Sequence, residues 1–142
     1  MEVTDLRKKI YDSYPTREEY LTNRYPENYF DFLIDVGARG IKHPWHLNHF
    51  APKNPKTLFF GYEPDLPYYE ELLAITSDMP NVFMHKEGFG TGEDMPTPQG
   101  TVGSFNLTDI FNKYSLDPDK RWAIKFDCEG CEYSWFKDGC KD

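Results

Sequence analysis

Short apolar runs, rich in β-branched and aromatic residues, alternate along the chain with stretches of helical spacing. Runs of this kind are typical of strands that are buried on both faces of a parallel sheet, and the stretches between them are typical of crossover helices. The pattern predicts strands over residues 32–36, 57–62, 82–85 and 121–126, and helices over about 44–50, 67–76 and 107–114.

Two further segments lack this alternation. The first thirty residues read as two helices, one capped by Thr4 and the other opened by a capping box at residues 16–19. Residues 88–103 are rich in glycine, proline and threonine, and they predict a long loop without strands, of the kind that often serves as a lid. We therefore expect one α/β domain over residues 1–142, with an N-terminal helical segment (1–30) and a cofactor-binding core (31–142).

Acidic residues lie at or next to the ends of three predicted strands. Asp35 closes the first strand, Glu63 follows the second, and Asp127 and Glu129 follow the fourth. The carboxyl ends of parallel strands meet at one edge of the sheet, where open α/β folds bind their ligands. The acids therefore predict a single site at that edge.

The turn after the first strand predicts a nucleotide-like ligand. Gly37 permits a tight turn, and Gly40 can leave amide groups free at a helix start to hold an anion. Glu63 lies roughly 20 residues beyond this turn, which is the spacing of an acid that accepts hydrogen bonds from ribose hydroxyls.

Two other positions leave alternatives open. Asp35 either braces the glycine turn or faces an amino group of the ligand. Phe89, in the segment Glu87-Gly88-Phe89 after the third strand, either stacks on an adenine ring or belongs to the core.

Four blocks in this order resemble the FkbM-type S-adenosylmethionine-dependent methyltransferases, which have a Rossmann-like fold. They are Ile34-Asp35-Val36-Gly37-Ala38, Gly61-Tyr62-Glu63-Pro64-Asp65, Asn81-Val82 leading to Glu87-Gly88-Phe89-Gly90, and Ile124-Lys125-Phe126-Asp127-Cys128-Glu129-Gly130-Cys131-Glu132.

The resemblance implies a parallel sheet in the order 3-2-1-4 and S-adenosylmethionine as cofactor. It implies methyl transfer to an oxygen nucleophile, which we expect to be a hydroxyl of a small molecule or a glycan, with Asp127 or Glu129 as the candidate base. The alternative is that the run at residues 127–132 orders the turn and caps the next helix through Glu132. The cofactor-binding residues that it implies are Asp35, Gly37, Ala38, Arg39, Gly40, Glu63, Pro64, Glu87, Gly88 and Phe89.

Departures from the family pattern suggest a second hypothesis. Arg39 replaces the family's usual asparagine, Ile41 replaces a glycine, and the chain ends after the fourth strand, whereas the family fold continues through three more. The alternative is a non-catalytic binding or assembly module with a truncated sheet. An NAD-type oxidoreductase is disfavoured because the turn has only two of the three expected glycines.

The charge balance narrows the class of partner. With 24 acidic and 16 basic residues, the net charge of −8 offers no basic face for nucleic acid or an anionic membrane. The chain has no apolar run of membrane-spanning length and no signal-peptide pattern at its N-terminus, so we expect a cytoplasmic protein. The edge of the fourth strand predicts a possible homodimer.

The cysteines and histidines predict no metal site. Cys128 and Cys131 have C-x-x-C spacing, but the chain has only three cysteines, and we expect these two to pack as small apolar residues. His43, His46 and His49 have no adjoining acid or cysteine to complete a metal shell, so we expect them to be solvated.

Overall fold

The structure, a computed structural model, describes residues 25–39, 47–90 and 92–126. Within these ranges the predicted strands and helices are present with small shifts at their ends. The elements are β1 (Phe32–Val36), α1 (Leu47–Phe50) continued by a 3₁₀ turn (Ala51–Lys53), β2 (Leu58–Tyr62), α2 (Leu66–Thr76), β3 (Val82–His85), β4 (Gly88–Phe89), β5 (Met95–Thr97), β6 (Gly100–Val102), β7 (Ser104–Phe105), α3 (Leu107–Tyr114) and β8 (Trp122–Phe126).

The central sheet is parallel, with the order β3-β2-β1-β8 among the described residues. This is the order 3-2-1-4 expected for the four main strands. Val36, the last residue of β1, pairs with Tyr62 of β2 and with Phe126 of β8, so these strands end at the same level. The chain runs outward from β1 to β3 and then returns across the sheet to β8. The connections therefore diverge between β1 and β8, where open α/β sheets form their ligand crevice.

Each face of the sheet packs against different helices. Phe32, Ile34 and Val36 lie in a core cluster that includes Ile110 of α3. Phe59 lies in a second cluster together with residues of α1 and α2, and Leu33 packs against that cluster. Successive residues of β1 thus alternate between two cores, as the pleat of a strand requires, and both faces of the sheet are covered.

Local sequence explains how α2 and α3 begin and end. Pro67 stands in the first turn of α2, where its missing N–H costs nothing. Asn106 caps α3 by accepting a hydrogen bond from the Asp109 N–H, and the Asp109 side chain returns a bond to the Asn106 N–H. Ser115 ends α3 in the left-handed conformation.

The prediction that residues 88–103 lack strands is wrong. Strands β5 and β6 form an antiparallel hairpin, and β4 pairs with β7 in parallel fashion. These strands have only two or three residues each. Such short pieces show no periodicity that the sequence could reveal, and backbone pairing holds them in place.

Several predictions fall outside the described residues. These are the two N-terminal helices, the three cysteines, His43, His46, Gly40, Ile41 and the acids Asp127 and Glu129. Of the predicted helix at 44–50, the described part begins at Leu47.

Candidate functional site

The turn after β1 is a glycine turn, as predicted, but its first amide groups are already used. Gly37 has a φ of 73°, a left-handed conformation that favours glycine. The N–H groups of Gly37 and Ala38 both donate to the carbonyl oxygen of Tyr62, at 2.9 and 3.1 Å. These two amides therefore tie the end of β1 to the end of β2, and they are not left over for an anion.

Glu63 lies at the tip of β2 in a buried position, with 3% of its surface exposed. Its N–H donates to the carbonyl oxygen of His85, at 3.0 Å, and its Oε1 accepts the N–H of Asp65, at 2.9 Å. No donor from the described residues meets the other carboxylate oxygen, Oε2. The bond to Oε1 thus fixes the orientation of the side chain at the tip of β2.

Burial raises the pKa of Glu63, because the charged carboxylate loses contact with water. The hydrogen bond from Asp65 and the nearby Arg39 guanidinium oppose this effect, whereas the Asp65 and Asp35 carboxylates reinforce it. The effect of burial is the larger one, so the pKa of Glu63 stays above its ordinary value.

Arg39 lies beside this acid and contacts helix α2. Its Nη2 donates to the Tyr68 hydroxyl at 3.2 Å, and its Cζ lies 4.7 Å from the centroid of the Tyr68 ring. Both contacts are at the surface, where a cation–π contact contributes about 0.5–1 kcal/mol. The residue that departs from the family pattern therefore joins the end of β1 to the first turn of α2.

Asp35 makes an ion pair that the sequence analysis missed. Its Oδ1 lies 2.8 Å from the Nζ of Lys125, its direct register partner on β8. Asp35 is 1% exposed. The prediction offered a turn-bracing aspartate or a ligand contact, and it did not consider a partner on another strand. Side chains of register partners in a parallel pair share one face of the sheet. The strand order 3-2-1-4 places the first and fourth strands side by side, so it could have suggested an ion pair between Asp35 and Lys125.

The segment after β3 contributes differently from what its sequence predicts. Phe89 is 6% exposed, and its ring packs edge-on against Phe105 and Phe126, with centroids 5.3 Å away in each case. This burial favours the core interpretation of Phe89 over stacking on an adenine ring. Glu87 is half-buried, and a Cβ on Gly88 would lie 1.8 Å from the Sδ of Met95.

A polar cluster of His85, Tyr62 and Tyr114 at the ends of β2 and β3 is a feature that the sequence did not predict. His85 stacks on Tyr62 with ring centroids 4.4 Å apart, and its Nδ1 lies 3.2 Å from the Gly61 carbonyl oxygen. Since a carbonyl only accepts, Nδ1 carries the proton, and Nε2 accepts a hydrogen bond from the Tyr114 hydroxyl. Burial lowers the pKa of His85 and raises the pKa of both tyrosines. The cluster also holds the backbone of Glu63 in place, because the His85 carbonyl oxygen accepts a hydrogen bond from the Glu63 N–H.

A cavity of about 430 Å³ lies on the face of the sheet that carries Asp35. Its walls are mostly apolar, with Phe50 and Phe59 among them. The charged residues of the lining are Glu27, Asp35, Lys53 and Lys125. Ligand cavities commonly range from about 300 to 1,000 Å³. The ion pair therefore borders a space large enough to take part of a ligand.

The structure brings together Asp35, Gly37, Ala38, Arg39, Glu63 and Pro64 at the carboxyl ends of β1 and β2, while Gly40, Asp127 and Glu129 lie outside the described residues. Asp127 follows Phe126 directly in the sequence. His49 is partly buried on α1, and the described ranges contain no cluster of three potential metal ligands.

Comparison of the chain with protein-family models, with curated proteins and with solved structures finds no match. Within the part of the chain that the structure describes, no helix has the length and apolar character needed to cross a lipid bilayer.

Proposed function

We propose that this chain is an S-adenosylmethionine-dependent methyltransferase of the FkbM type with a Rossmann-like fold. The observation that carries the proposal is the geometry of Glu63. This acid lies at the tip of the strand next to the glycine turn, with Oε1 held by the backbone and Oε2 without a donor from the described residues. A carboxylate held in this way suits the two hydroxyls of a ribose.

The proposal also assigns roles to the other residues of the site. Gly37 and Ala38 hold the turn close to β2, and Glu87 and Gly88 follow β3, next to the strand that carries Glu63. The cofactor supplies an activated methyl group on a sulfonium. The protein aligns the acceptor hydroxyl with that methyl group, and Asp127 or Glu129 takes the hydroxyl proton. The acceptor is a small molecule or a glycan.

A binding or assembly module of the same fold is the second candidate. The amides of Gly37 and Ala38 are already bonded to Tyr62, and Arg39 is held against Tyr68. Both features can reduce the affinity of this edge for a nucleotide. A module predicts no measurable binding of S-adenosylmethionine or of its demethylated product.

Calorimetric titration with S-adenosylmethionine, with its demethylated product and with NAD tests the proposal. We expect the first two to bind and NAD not to bind. Glu63→Ala should weaken the binding of both by about 1–3 kcal/mol, because charged hydrogen bonds to ribose are lost. Glu63→Gln retains an oxygen for the Asp65 N–H and separates ribose binding from folding.

The matched control is Glu71→Gln, which removes one negative charge from an exposed position on α2. It should leave the affinity unchanged. If Glu63→Ala binds S-adenosylmethionine as tightly as the unmodified chain, the placement of the cofactor is wrong.

A further inference from the structure

The ion pair between Asp35 and Lys125 places a cation among the acids at the carboxyl ends of the strands. The two residues face each other across β1 and β8, with Nζ and Oδ1 at 2.8 Å. Each residue lies one position before the end of its strand. The pair is therefore next to the glycine turn, at the point where the connections of the sheet diverge.

The pair retains hydrogen-bonding capacity. A lysine ammonium has three donors, and among the described residues the partner of Lys125 is Oδ1 of Asp35. The side chain of Lys125 is 26% exposed, whereas that of Asp35 is 2% exposed. Both residues line the cavity of about 430 Å³. A ligand group can thus approach the ammonium without displacing a core side chain.

An ammonium and a carboxylate side by side form a template for a zwitterion. A ligand that carries an α-ammonium and an α-carboxylate on one carbon can donate to the aspartate and accept from the lysine at once. A ligand with only one of these charges leaves one partner of the template without a new contact. Such a pair therefore discriminates among ligands by the presence of both groups.

We propose that Lys125 and Asp35 together bind the amino-acid end of the cofactor, with Lys125 donating to the α-carboxylate and Asp35 accepting from the α-ammonium. Lys125 is then a specificity-determining residue that selects the zwitterionic ligand. The inference rests on the proposed function, and it adds a residue and a chemical reason to the site.

Three probes that share the adenosine group test this inference by calorimetry. S-adenosylmethionine carries both charged groups, its decarboxylated analogue keeps only the ammonium, and 5′-methylthioadenosine has neither. In the unmodified chain we expect the affinity to fall at each removal, by about 10-fold or more where a charged hydrogen bond is lost.

The test of Lys125 is the change in selectivity. In Lys125→Met, S-adenosylmethionine should bind no more tightly than the decarboxylated analogue, and the affinity for 5′-methylthioadenosine should stay within about 2-fold of its original value. Lys125→Arg should keep most of the preference, since it retains a cation. Lys120→Met, which removes an exposed lysine just before β8, is the matched control and should change none of the three affinities.

A residue that only stabilised the sheet would lower all three affinities together and leave their ratios unchanged, so unchanged ratios in Lys125→Met overturn the inference. If Lys125→Met does not fold, the neutral pair Asp35→Asn/Lys125→Met takes its place, and it should bind S-adenosylmethionine and the decarboxylated analogue, which share the sulfonium charge, equally. A persistent preference for S-adenosylmethionine over that analogue in the double variant also overturns the inference.

The binding of 5′-methylthioadenosine separates this inference from the proposed function. If all three probes bind equally in the unmodified chain, and Glu63→Ala weakens each of them, the cofactor placement holds and the zwitterion site is wrong. If none of the three binds, both proposals fail.

Discussion

Removing the charge of Lys125 and removing the charge of Asp35 should lower the free energy of unfolding by unequal amounts. Lys125→Met removes the cation and leaves Asp35, which is 1% exposed, as an uncompensated charge in the interior. Breaking a buried pair from one side in this way costs about 3–5 kcal/mol. Asp35→Asn instead leaves a lysine whose side chain is 26% exposed and can turn toward water. We expect this second change to cost about 1.5–3 kcal/mol, the usual range for a hydrogen bond to a charged group.

The double variant completes the cycle. Asp35→Asn/Lys125→Met removes both charges and keeps the volume of both side chains, but it leaves a buried amide in place of the carboxylate without its former partner. An unsatisfied buried polar group costs about 1–3 kcal/mol. We expect the double variant to lose about that much, well below the sum of the single losses, and the difference is a coupling energy of about 2 kcal/mol or more.

Urea unfolding at neutral pH, followed by circular dichroism, measures all four proteins. Domains of this size have about 5–15 kcal/mol of stability, so each variant should still unfold from a folded baseline. Equal losses in the two single variants would refute the argument from burial, and additive losses in the double variant would show that the two residues do not interact. Lys120→Met should lie within about 0.5 kcal/mol of the unmodified chain.

Three further predictions concern the rest of the fold. Burial lowers the folded-state pKa of His85 below its unfolded value, so the stability that depends on the neutral histidine is present above about pH 6.5 and should be lost as the pH falls through the folded-state pKa. A flat profile of unfolding free energy against pH would contradict the lowered pKa. Tyr114→Phe should cost about 1–3 kcal/mol at neutral pH by leaving Nε2 unsatisfied, and no loss in this variant would contradict the tautomer assignment. Gly37→Ala should destabilise the chain by about 1–2 kcal/mol, as measured by thermal unfolding, because residue 37 has a positive φ. Gly103→Ala is the control: the new methyl group would meet open space at an ordinary φ, so the change should be neutral or slightly stabilising. The outer edge of β8 has no strand partner among the described residues, so we expect two copies of the chain to associate through this edge with two-fold symmetry. A molecular mass of 16.7 kDa by light scattering at every dilution would exclude the dimer.

The sequence predicts the main strands and helices because their signals are local. Residues 32–36 form an apolar run that is interrupted at Asp35 and followed by Gly37, and Asn106 with Asp109 forms a capping box before an apolar helix face. The strand-end rule then places Glu63 correctly at the tip of β2. These signals need no knowledge of distant residues.

The features that the sequence analysis missed depend on contacts between distant residues. Lys125 lies 90 residues from Asp35, and nothing in its own segment distinguishes it from a solvated lysine. His85 is a single histidine at a strand end, and its role follows from Tyr62 and Tyr114 on either side of it. The strands at residues 88–105 are too short for periodicity to reveal.

β1 and β8 are neighbours in the sheet but lie about 90 residues apart in the sequence, which affects the order in which the sheet forms. β1 pairs with β2 across a short crossover, but its other edge pairs with β8, whose residues are synthesised about 90 positions later. Contacts of such long range are slow to form, because the intervening chain must first lose much of its conformational freedom. On the ribosome, the sheet formed by β1, β2 and β3 therefore has an open edge, and the carboxylate of Asp35 stays in water until Lys125 arrives. This open edge is the surface on which a folding chaperone or a neighbouring nascent chain would act, and the docking of β8 is the step that removes it.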